Sequence, residues 1–467
     1  MFILVAAIFG ISTVLFKKAA GTLNPGKFNI ISYIYYIFML QSFIGISLVM
    51  LGYDEHYTFA YLINKEKSCH IAAIVVWGMA VCFPLLILLF QKIVRLNIKT
   101  EYTDYLKRKV ETKRNRFFEW GFSFVTLFCI LLLIGFLLKI GYVPIWKLLF
   151  ASGDFNFALE RTRIGQTYFI HPYVTNICIL SLIPLLSYIS YSYFLTVRTK
   201  QWAVISGILF IASIIIKTYK FEKSPVVFYL LVFILIYIYF KGGIKTIYMI
   251  AVGIFLGGVL IISYFQTGFA GNILDVYNGP LGRTLFTEVG TLTYCFDLFP
   301  HIFGFLGGRS FTPTILKLLG MDESLYLRSA KVTMAFYGSE RVYDGSAGVM
   351  NTLFTGEAYA NWGYIGVCLS VVWVAFIAML FMYIILKLKK TPSMIALFGV
   401  LTVKMGTMLE GGFCDFVYSF DIIFSFFVIL VIYICFEKNG KIGKFILEQW
   451  TKMEGRVQKC IIQSRRK

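Results

Sequence analysis

Arginine and lysine side chains that could bind an anionic group are concentrated in a few segments between long apolar runs. Arg161 and Arg163 lie in one segment, and Arg283 and Arg309 lie in a later, longer one. A guanidinium stays charged and binds phosphate oxygens through two parallel hydrogen bonds. These arginines therefore suit a phosphate or pyrophosphate ligand. The short segment 217–224 adds three lysines to this set, Lys217, Lys220 and Lys223.

A group transfer at such a ligand also needs a base, and the same segments carry carboxylates and histidines. Glu357 is the first choice as general base, because it lies where the long segment meets an apolar run. Asp415, Asp344 and Glu160 are alternative bases, and Asp415 is also a substrate-binding candidate. His301 is a candidate proton carrier. A metal site at the four histidines would need them to converge, which a sequence cannot show.

Each candidate also has a structural interpretation. Arg163 could reach lipid headgroups, and Arg283 could pair with Glu288 at the surface. Arg309 follows two glycines, which would either let backbone amides approach an anion or simply form a turn. Lys220 and its neighbours could anchor the chain to headgroups. Glu357 could be an ordinary helix N-terminal acid, since the helix dipole favours that position.

Apolar runs that are long enough to cross a bilayer must position these residues. Hydrophobic residues make up 58% of the 467 residues, and the runs lack the alternation of barrel strands. Backbone groups in lipid must be satisfied internally, so the runs predict helices. We expect an all-α polytopic membrane protein with about eleven transmembrane helices, approximately at 1–16, 28–51, 71–90, 120–138, 172–195, 201–216, 225–240, 246–266, 358–386, 393–409 and 419–436.

The distribution of basic residues predicts the orientation of these helices. Segment 91–119 carries nine Lys or Arg against four acids, and 437–467 carries nine against three. Positively charged connections tend to stay cytoplasmic, and eleven helices with both segments inside require an outer N-terminus. The predicted inner connections hold 28 basic and 7 acidic residues, and the outer ones hold 15 of each. The net charge of +20 is thus a topology signal and gives no indication of nucleic-acid binding.

The predicted organisation has four parts. Residues 1–266 contain eight transmembrane helices and an outer loop at 139–171, and residues 267–357 form a large outer loop. Its aromatic content predicts a folded loop with short interfacial helices near 311–319 and 324–336, whose Arg328 and Lys331 would face water or headgroups. Residues 358–436 contain the last three helices, and 437–467 form a basic cytoplasmic tail.

Several classes of function lack their sequence signature. The chain has no P-loop, Rossmann fingerprint or HExxH motif, and its nine cysteines form no CxxC pair. We therefore predict no nucleotide cofactor, no metal site and no disulfide framework. Lys404, Glu410 and Asp421 are the charged residues nearest the predicted helix interiors, where such residues need a partner or water. Lys404 and Glu410 are expected on one helix.

Three stretches carry a resemblance to a known family. GEAYANWGYIG (Gly356–Gly366), at the end of the large loop, resembles the signature of the oligosaccharide repeat-unit polymerases, the O-antigen polymerase (Wzy) class. The stretches FPHIFGFLGGRSF (Phe299–Phe311) and AGVMNTLFTGE (Ala347–Glu357) are similar to the rest of that loop. Arg163, in an RxG form, resembles an arginine that the family carries before a middle helix.

The resemblance implies a GT-C-like enzyme of the bacterial cytoplasmic (inner) membrane. Such an enzyme transfers a growing glycan from undecaprenyl pyrophosphate to a lipid-linked acceptor, without a cofactor, alongside a flippase and a chain-length regulator. On this interpretation Arg163, Arg283 and Arg309 neutralise the pyrophosphate and Glu357 is the base. Substrate binding is assigned to Arg161, Lys220, Lys223 and Asp415, together with Arg309.

Other functions share parts of this pattern. An O-antigen ligase would have the same topology and phosphate-binding arginines, so only the GEAYANWGYIG stretch distinguishes it. A lipid-linked oligosaccharide flippase or transporter would show internal repeats and polar midplane sites, whereas here the polar residues collect in the connections. A purely structural membrane protein would leave the clustered arginines unexplained.

The predicted orientation is tested by thiol labelling of intact cells. In a chain whose nine cysteines are replaced by serine, Lys109→Cys should resist a membrane-impermeant reagent, because segment 91–119 is predicted to be cytoplasmic. Glu323→Cys, in the predicted outer loop, should react. Labelling of position 109 would contradict the topology together with every site assignment built on it.

Overall fold

The structure is a computed structural model that describes residues 1–112, 114–150, 157–222, 224–266, 275–277, 279–343 and 348–437. These residues contain helices and no strand. The chain divides into two compact units. Unit 1 comprises Met1–Lys107, Lys241–Lys387 and Val400–Phe420. Unit 2 comprises Arg108–Phe240, Leu388–Gly399 and Asp421–Lys467.

Nine helices within the described residues are long and apolar enough to cross a membrane. They are Phe2–Lys27, Ile30–Met50, Lys65–Ile93, Arg116–Ile140, Val174–Val197, Lys200–Thr218, Ser224–Lys241, Phe354–Lys387 and Phe413–Glu437. Two further apolar helices fall outside this set, Thr246–Gln266 and Pro392–Met408. All eleven predicted segments thus lie on helices, and the protein is an all-α polytopic membrane protein. The number that cross the bilayer remains a prediction.

Shorter helices occupy the connections. In unit 1 they are Tyr57–Ala60, Ile98–Lys107, Pro280–Leu298, Pro313–Leu318, Glu323–Leu325, Ser329–Tyr337 and Ser339–Tyr343, and in unit 2 they are Pro144–Phe150 and Phe157–Gly165. π-Helical turns occur within the longer helices at Met39–Phe43, Val174–Leu182 and Tyr433–Glu437. Two short helices lie at the ends of membrane-spanning candidates, at Pro25–Lys27 and Phe413–Val417. The predicted short helices near 311–319 and 324–336 correspond to Pro313–Leu318 and Ser329–Tyr337.

The helix Pro280–Leu298 is the main departure from the predicted loop. The segment was expected to be an outer connection, but this 19-residue helix has mostly buried side chains and packs against the helices Lys65–Ile93 and Phe354–Lys387. Gly45 allows the closest approach, because a Cβ there would overlap the carbonyl oxygen of Leu285. Arg283, Glu288 and Asp297 interrupt the apolar residues of this segment, so the sequence did not predict a helix here.

Asp297 connects this helix to two neighbours. Its carboxylate is 2% exposed, and it accepts hydrogen bonds from the backbone amides of Ile63 and Asn64 at 2.7 and 2.8 Å. It also accepts from the hydroxyls of Ser68 at 2.9 Å and Tyr337 at 2.7 Å. The two amides begin the helix Lys65–Ile93, where a negative charge is favoured by the helix dipole. Asp297 therefore fixes that helix and the end of Ser329–Tyr337 in one place.

Aromatic packing and one carboxylate organise unit 2. The rings of Tyr193 and Trp202 stack with centroids 4.7 Å apart, and those of Tyr239 and Phe398 stack at 4.0 Å. Glu437 accepts hydrogen bonds from the Tyr193 hydroxyl at 2.6 Å, from the Ser393 amide at 3.1 Å, and from the Ser393 hydroxyl. This carboxylate caps the start of the helix Pro392–Met408.

The expectation that Lys404 and Glu410 share one helix is wrong. The helix Pro392–Met408 ends two residues before Glu410, which lies in a turn that continues through Gly411 and Gly412. Gly412 has φ +127°, a backbone conformation that L side chains rarely adopt. The turn therefore favours glycine at position 412, where no Cβ opposes this backbone conformation.

Replacing Gly45 tests the packing of the Pro280–Leu298 helix. Gly45→Ala should lower the free energy of unfolding by about 1–3 kcal/mol, since the Leu285 backbone cannot move without shifting its helix. Gly78→Ala is the matched control, because Gly78 is an exposed helical glycine with nothing within 4 Å of its Cβ position. The control should be neutral or stabilising by up to about 1 kcal/mol. Equal unfolding free energies for the two variants in detergent would contradict the described contact.

Candidate functional site

A break in the helix Phe354–Lys387 organises the site in unit 1. Trp362 and Gly363 have non-helical backbone angles, and φ is +64° at Gly363. The break leaves the carbonyl groups of Ala360 and Asn361 without helical partners. They accept hydrogen bonds from the amides of Leu306 at 2.9 Å and Gly307 at 3.0 Å. A loop from the preceding segment is thereby held against the broken helix.

The Asn361 side chain completes this contact. It is 1% exposed, and its carbonyl oxygen accepts from the amides of Gly308 at 3.0 Å and Ser310 at 3.4 Å. Its amide group donates to the Ser310 hydroxyl at 2.9 Å and to the Glu357 carbonyl at 2.8 Å. The amides of Gly308 and Ser310 therefore bind Asn361 and are not open to an anion.

Arg328 and Glu357 form a bidentate ion pair at the start of the same helix. Arg328 precedes the helix Ser329–Tyr337 in extended conformation, so its side chain leaves the helix axis. Its Nε and Nη2 atoms donate to the two carboxylate oxygens of Glu357 at 3.0 and 3.3 Å. Glu357 is 1% exposed and the Arg328 side chain is 22% exposed. The expectation that Arg328 faces water or headgroups is wrong, because a buried carboxylate binds it.

The turn after Met408 supplies the remaining partners of this pair. Arg328 Nη2 donates to the Gly411 carbonyl at 2.8 Å, and Nη1 donates to Asp415 Oδ1 at 3.3 Å. The Cys414 amide donates to Glu357 Oε2 at 2.9 Å. A side chain at Gly412 would overlap both Glu357 and Arg328, which explains the glycine. We call Arg328, Glu357 and Asp415 the Arg328 cluster.

The two carboxylates of the Arg328 cluster differ in availability. Both oxygens of Glu357 bind Arg328, and one also binds an amide. The Asp415 side chain is 34% exposed and makes one longer bond through Oδ1. Burial opposes the charge of Arg328, but Glu357 and Asp415 outweigh it and raise the pKa of the guanidinium. Asp415 is thus the carboxylate of the cluster that is more open to a ligand.

Further cations and a phenol lie at the rim of the Arg328 cluster. Arg309 Nε donates to the Leu325 carbonyl at 3.1 Å, and the Lys331 ammonium lies 5.7 Å from the centroid of the Tyr326 ring. Burial raises the pKa of Tyr326, and the charges of Arg328, Glu357 and Asp415 act on it as well. Tyr326 is therefore close to the cluster, and Lys331 is close to Tyr326.

The other predicted site residues of unit 1 lie apart from this cluster. Arg283 is exposed in the first turn of Pro280–Leu298, and its guanidinium makes no hydrogen bond within the described residues. His301 follows the same helix, and its Nε2 is 3.4 Å from the Lys67 ammonium. Fifteen helical residues separate Arg283 from Leu298, a rise of about 22 Å, so Arg283 and His301 cannot bind one phosphate.

Unit 2 holds the remaining predicted cations. Arg163 binds the Glu160 carboxylate and donates to the Ile140 carbonyl at 3.3 Å. Tyr142 also donates to Glu160, at 2.5 Å. Arg161 Nε donates to the Lys220 carbonyl at 3.0 Å.

Arg161 and Lys220 therefore lie next to each other in unit 2, whereas Arg163 binds Glu160 and Ile140. Lys223 and Asp344 lie outside the described residues.

The remaining histidines show no shared site. His56 is 1% exposed, and its Nδ1 lies 2.8 Å from the Thr58 hydroxyl. Burial lowers the pKa of His56 to about 4, so the ring is neutral at physiological pH. His70 and His171 are exposed and contact nearby backbone atoms.

Arg328 and Asn361 are the residues whose roles the sequence left out. Arg328 was one of several basic residues in a predicted surface loop, and nothing in its neighbours indicates burial. Asn361 lies inside GEAYANWGYIG, but its role depends on a helix break that no proline marks.

Comparison with known proteins found no similar protein. No protein-family model matches the chain, and neither the curated proteins nor the solved structures contain a match. The site must therefore be interpreted from its own chemistry.

Neutralising the two carboxylates separately tests the geometry of the Arg328 cluster. Glu357→Gln should lower the free energy of unfolding by roughly 3 kcal/mol, because it removes one partner of a buried, bidentate pair. Asp415→Asn should cost under about 1 kcal/mol, because that bond is longer and partly exposed. Thermal or denaturant unfolding in detergent measures both. Similar losses for the two variants would contradict the assigned difference in availability.

Proposed function

We propose that the protein is an oligosaccharide repeat-unit polymerase of the O-antigen polymerase (Wzy) type. The proposal is supported by one observation above all. Two of the three family-like stretches overlap at Gly356 and Glu357, and the third lies well upstream in sequence, yet its segment 306–310 is hydrogen-bonded to Ala360 and Asn361. This contact lies beside the Arg328 cluster, which supports a single site that includes residues of these stretches.

The proposed reaction joins lipid-linked oligosaccharides on the outer face of the bacterial cytoplasmic (inner) membrane. The hydroxyl at the non-reducing end of an acceptor attacks the anomeric carbon of the donor glycan. A new glycosidic C–O bond forms, and the C–O bond to undecaprenyl pyrophosphate breaks with its electron pair. The acceptor proton passes to the base, and the lipid pyrophosphate leaves as an anion. Lipid-linked glycans delivered by a flippase are the substrates, and a chain-length regulator is an expected partner.

Asp415 is the proposed base for this step. Its Oδ2 accepts no hydrogen bond from the described residues, whereas both oxygens of Glu357 are engaged. Glu357 is therefore proposed as a positioning residue that fixes Arg328, in place of the base predicted from sequence. Arg328 in turn orients Asp415 through the hydrogen bond from Nη1 to Oδ1.

The leaving pyrophosphate needs cations that are not already neutralised. Arg328 is bound to two carboxylates, so Arg309 and Lys331 at the rim are the proposed ligands in unit 1. Fixed cations near a developing anion stabilise the transition state. Arg163, Arg161 and Lys220 of unit 2, and Arg283 of unit 1, remain predicted phosphate ligands. Their contribution is separable from that of Arg309 by single substitutions.

Glycan length in a deletion strain tests the proposal. Complementation with the wild type should restore long polysaccharide, whereas Asp415→Asn should leave a single repeat capped on its final acceptor. A general base contributes about 10²- to 10⁴-fold, so residual polymer should be scarce. Glu323→Gln removes the charge of an exposed acid outside the Arg328 cluster; it is the control and should restore full length.

Two outcomes would identify the rival functions. Loss of all capped glycan, with lipid-linked polymer accumulating outside, would indicate a ligase. Lipid-linked repeats retained on the cytoplasmic face would indicate a flippase. Full-length polymer from Asp415→Asn at normal protein level would exclude Asp415 as the base.

A further inference from the structure

Two exposed tyrosines lie on a short connection of unit 1. The segment 53–64 connects two of the membrane-spanning candidates and contains the four-residue helix Tyr57–Ala60. Tyr57 is 52% exposed, and Tyr61, which ends this helix, is 65% exposed. The two residues are four positions apart across a helical turn, so their side chains lie on one face. We call this face the tyrosine surface.

The other side of the same segment packs against the helix Pro280–Leu298. The His56 ring stacks on Phe286 with centroids 5.6 Å apart, and the Phe59 ring meets Phe286 edge-on at 6.2 Å. Both His56 and Phe59 are buried. Asp297 of the same helix accepts hydrogen bonds from two backbone amides at the end of the segment. The segment is therefore fixed from its buried side, while its two tyrosines stay exposed.

The charge of this segment favours a neutral ligand over a lipid headgroup. Residues 53–64 carry the acids Asp54 and Glu55 and no basic residue. Lys65, which follows, is bound to Asp54 at 2.6 Å, and Glu55 is exposed. Anionic headgroups attract basic segments. The tyrosine surface lacks such a segment, whereas a neutral glycan meets no repulsion from the two acids.

A sugar ring matches the chemistry of an exposed tyrosine. One face of a pyranose ring consists of C–H groups, which pack on an aromatic ring, and the hydroxyls at its edge form hydrogen bonds. Tyrosine presents an apolar ring and a polar tip in one side chain. The exposed Glu55 carboxylate, two residues before Tyr57, is an acceptor for sugar hydroxyls.

The helix Ser329–Tyr337 connects this segment to the Arg328 cluster. Arg328 precedes its first residue, and Tyr337 is its last. The Tyr337 hydroxyl and the Ile63 amide donate to the same oxygen of Asp297, each at 2.7 Å. Tyr337 thus lies at the end of the tyrosine segment. The nine residues of the helix rise by about 12 Å, a distance that a short oligosaccharide spans.

We propose that Tyr57 and Tyr61 form a glycan-binding surface, on which a sugar residue of the lipid-linked oligosaccharide stacks while its reacting end lies at Asp415. This assignment rests on the proposed function, because it takes the glycan of that reaction as the ligand. The stacked sugar is remote from the reacting atoms. Its binding contributes to holding and orienting the substrate and makes no bond in the transfer itself.

Binding of glycan to the purified full chain in lipid nanodiscs tests the proposal. The probe is the strain's own surface polysaccharide, freed of lipid and phosphate and cut to short oligosaccharides. The double variant Tyr57→Ala, Tyr61→Ala should raise Kd by about 5- to 100-fold, through the loss of two aromatic contacts. The double variant Tyr57→Phe, Tyr61→Phe should lose less, because the rings remain. Tyr343→Ala is the control, because Tyr343 is 93% exposed and lies outside this segment.

Thiol labelling gives a second measurement at the same surface. In the chain without cysteines, Ala60→Cys places a thiol at an exposed position beside Tyr61. A water-soluble maleimide should react with it in the membrane, and the oligosaccharide should slow this reaction in proportion to its occupancy. The reaction of Tyr343→Cys should keep its rate when the oligosaccharide is added.

Three outcomes separate this proposal from the proposed function. An unchanged Kd in the alanine variant would overturn the glycan-binding surface, even if glycan length in cells supports the polymerase. A thiol at position 60 that reacts only after the membrane is dissolved would show a lipid-facing surface and would overturn it as well. Weaker binding in the alanine variant, with normal glycan length in the deletion strain, would support the surface and refute the polymerase.

Discussion

The bidentate pair between Arg328 and Glu357 is the interaction on which the rest of the site in unit 1 depends. A buried carboxylate without its cation would carry a desolvation cost of several kcal/mol, so neither residue can move alone. The pair fixes the start of the helix Ser329–Tyr337 against Phe354–Lys387 and, through Gly411 and Cys414, the turn that follows Met408. Three segments distant in sequence therefore share one rigid centre.

A second constraint comes from the broken helix after Asn361. A helix that ends inside a protein must find new partners for its carbonyl groups, and here a loop with two positive-φ glycines supplies the amides. The Asn361 side chain satisfies the next amides of that loop. The same few residues thus position Arg309 at the rim and Glu357 at the centre, which ties the anion-binding candidate to the carboxylate cluster.

The charged groups of unit 1 fall into three classes by their partners. Asp297 is saturated by amide and hydroxyl donors and has a structural role. Glu357 is saturated by a guanidinium, and it holds that cation beside Asp415. Glu288 keeps a buried Oε2 atom without a hydrogen-bond partner among the described residues. The set of donors around each carboxylate therefore distinguishes the three.

The sequence by itself determined the class of the protein, because apolar runs and basic connections reflect the bilayer directly and need no tertiary contact. Glu357 and Arg309 were also predicted as site residues because they lie in family-like stretches, and Asp415 was predicted as a carboxylate in an outer connection. Only the tertiary structure decided the rest. It buried Arg328 against Glu357, turned 280–298 into a packed helix and broke the helix after Asn361. These outcomes depend on contacts between residues far apart in sequence, and no local periodicity or spacing encodes such contacts.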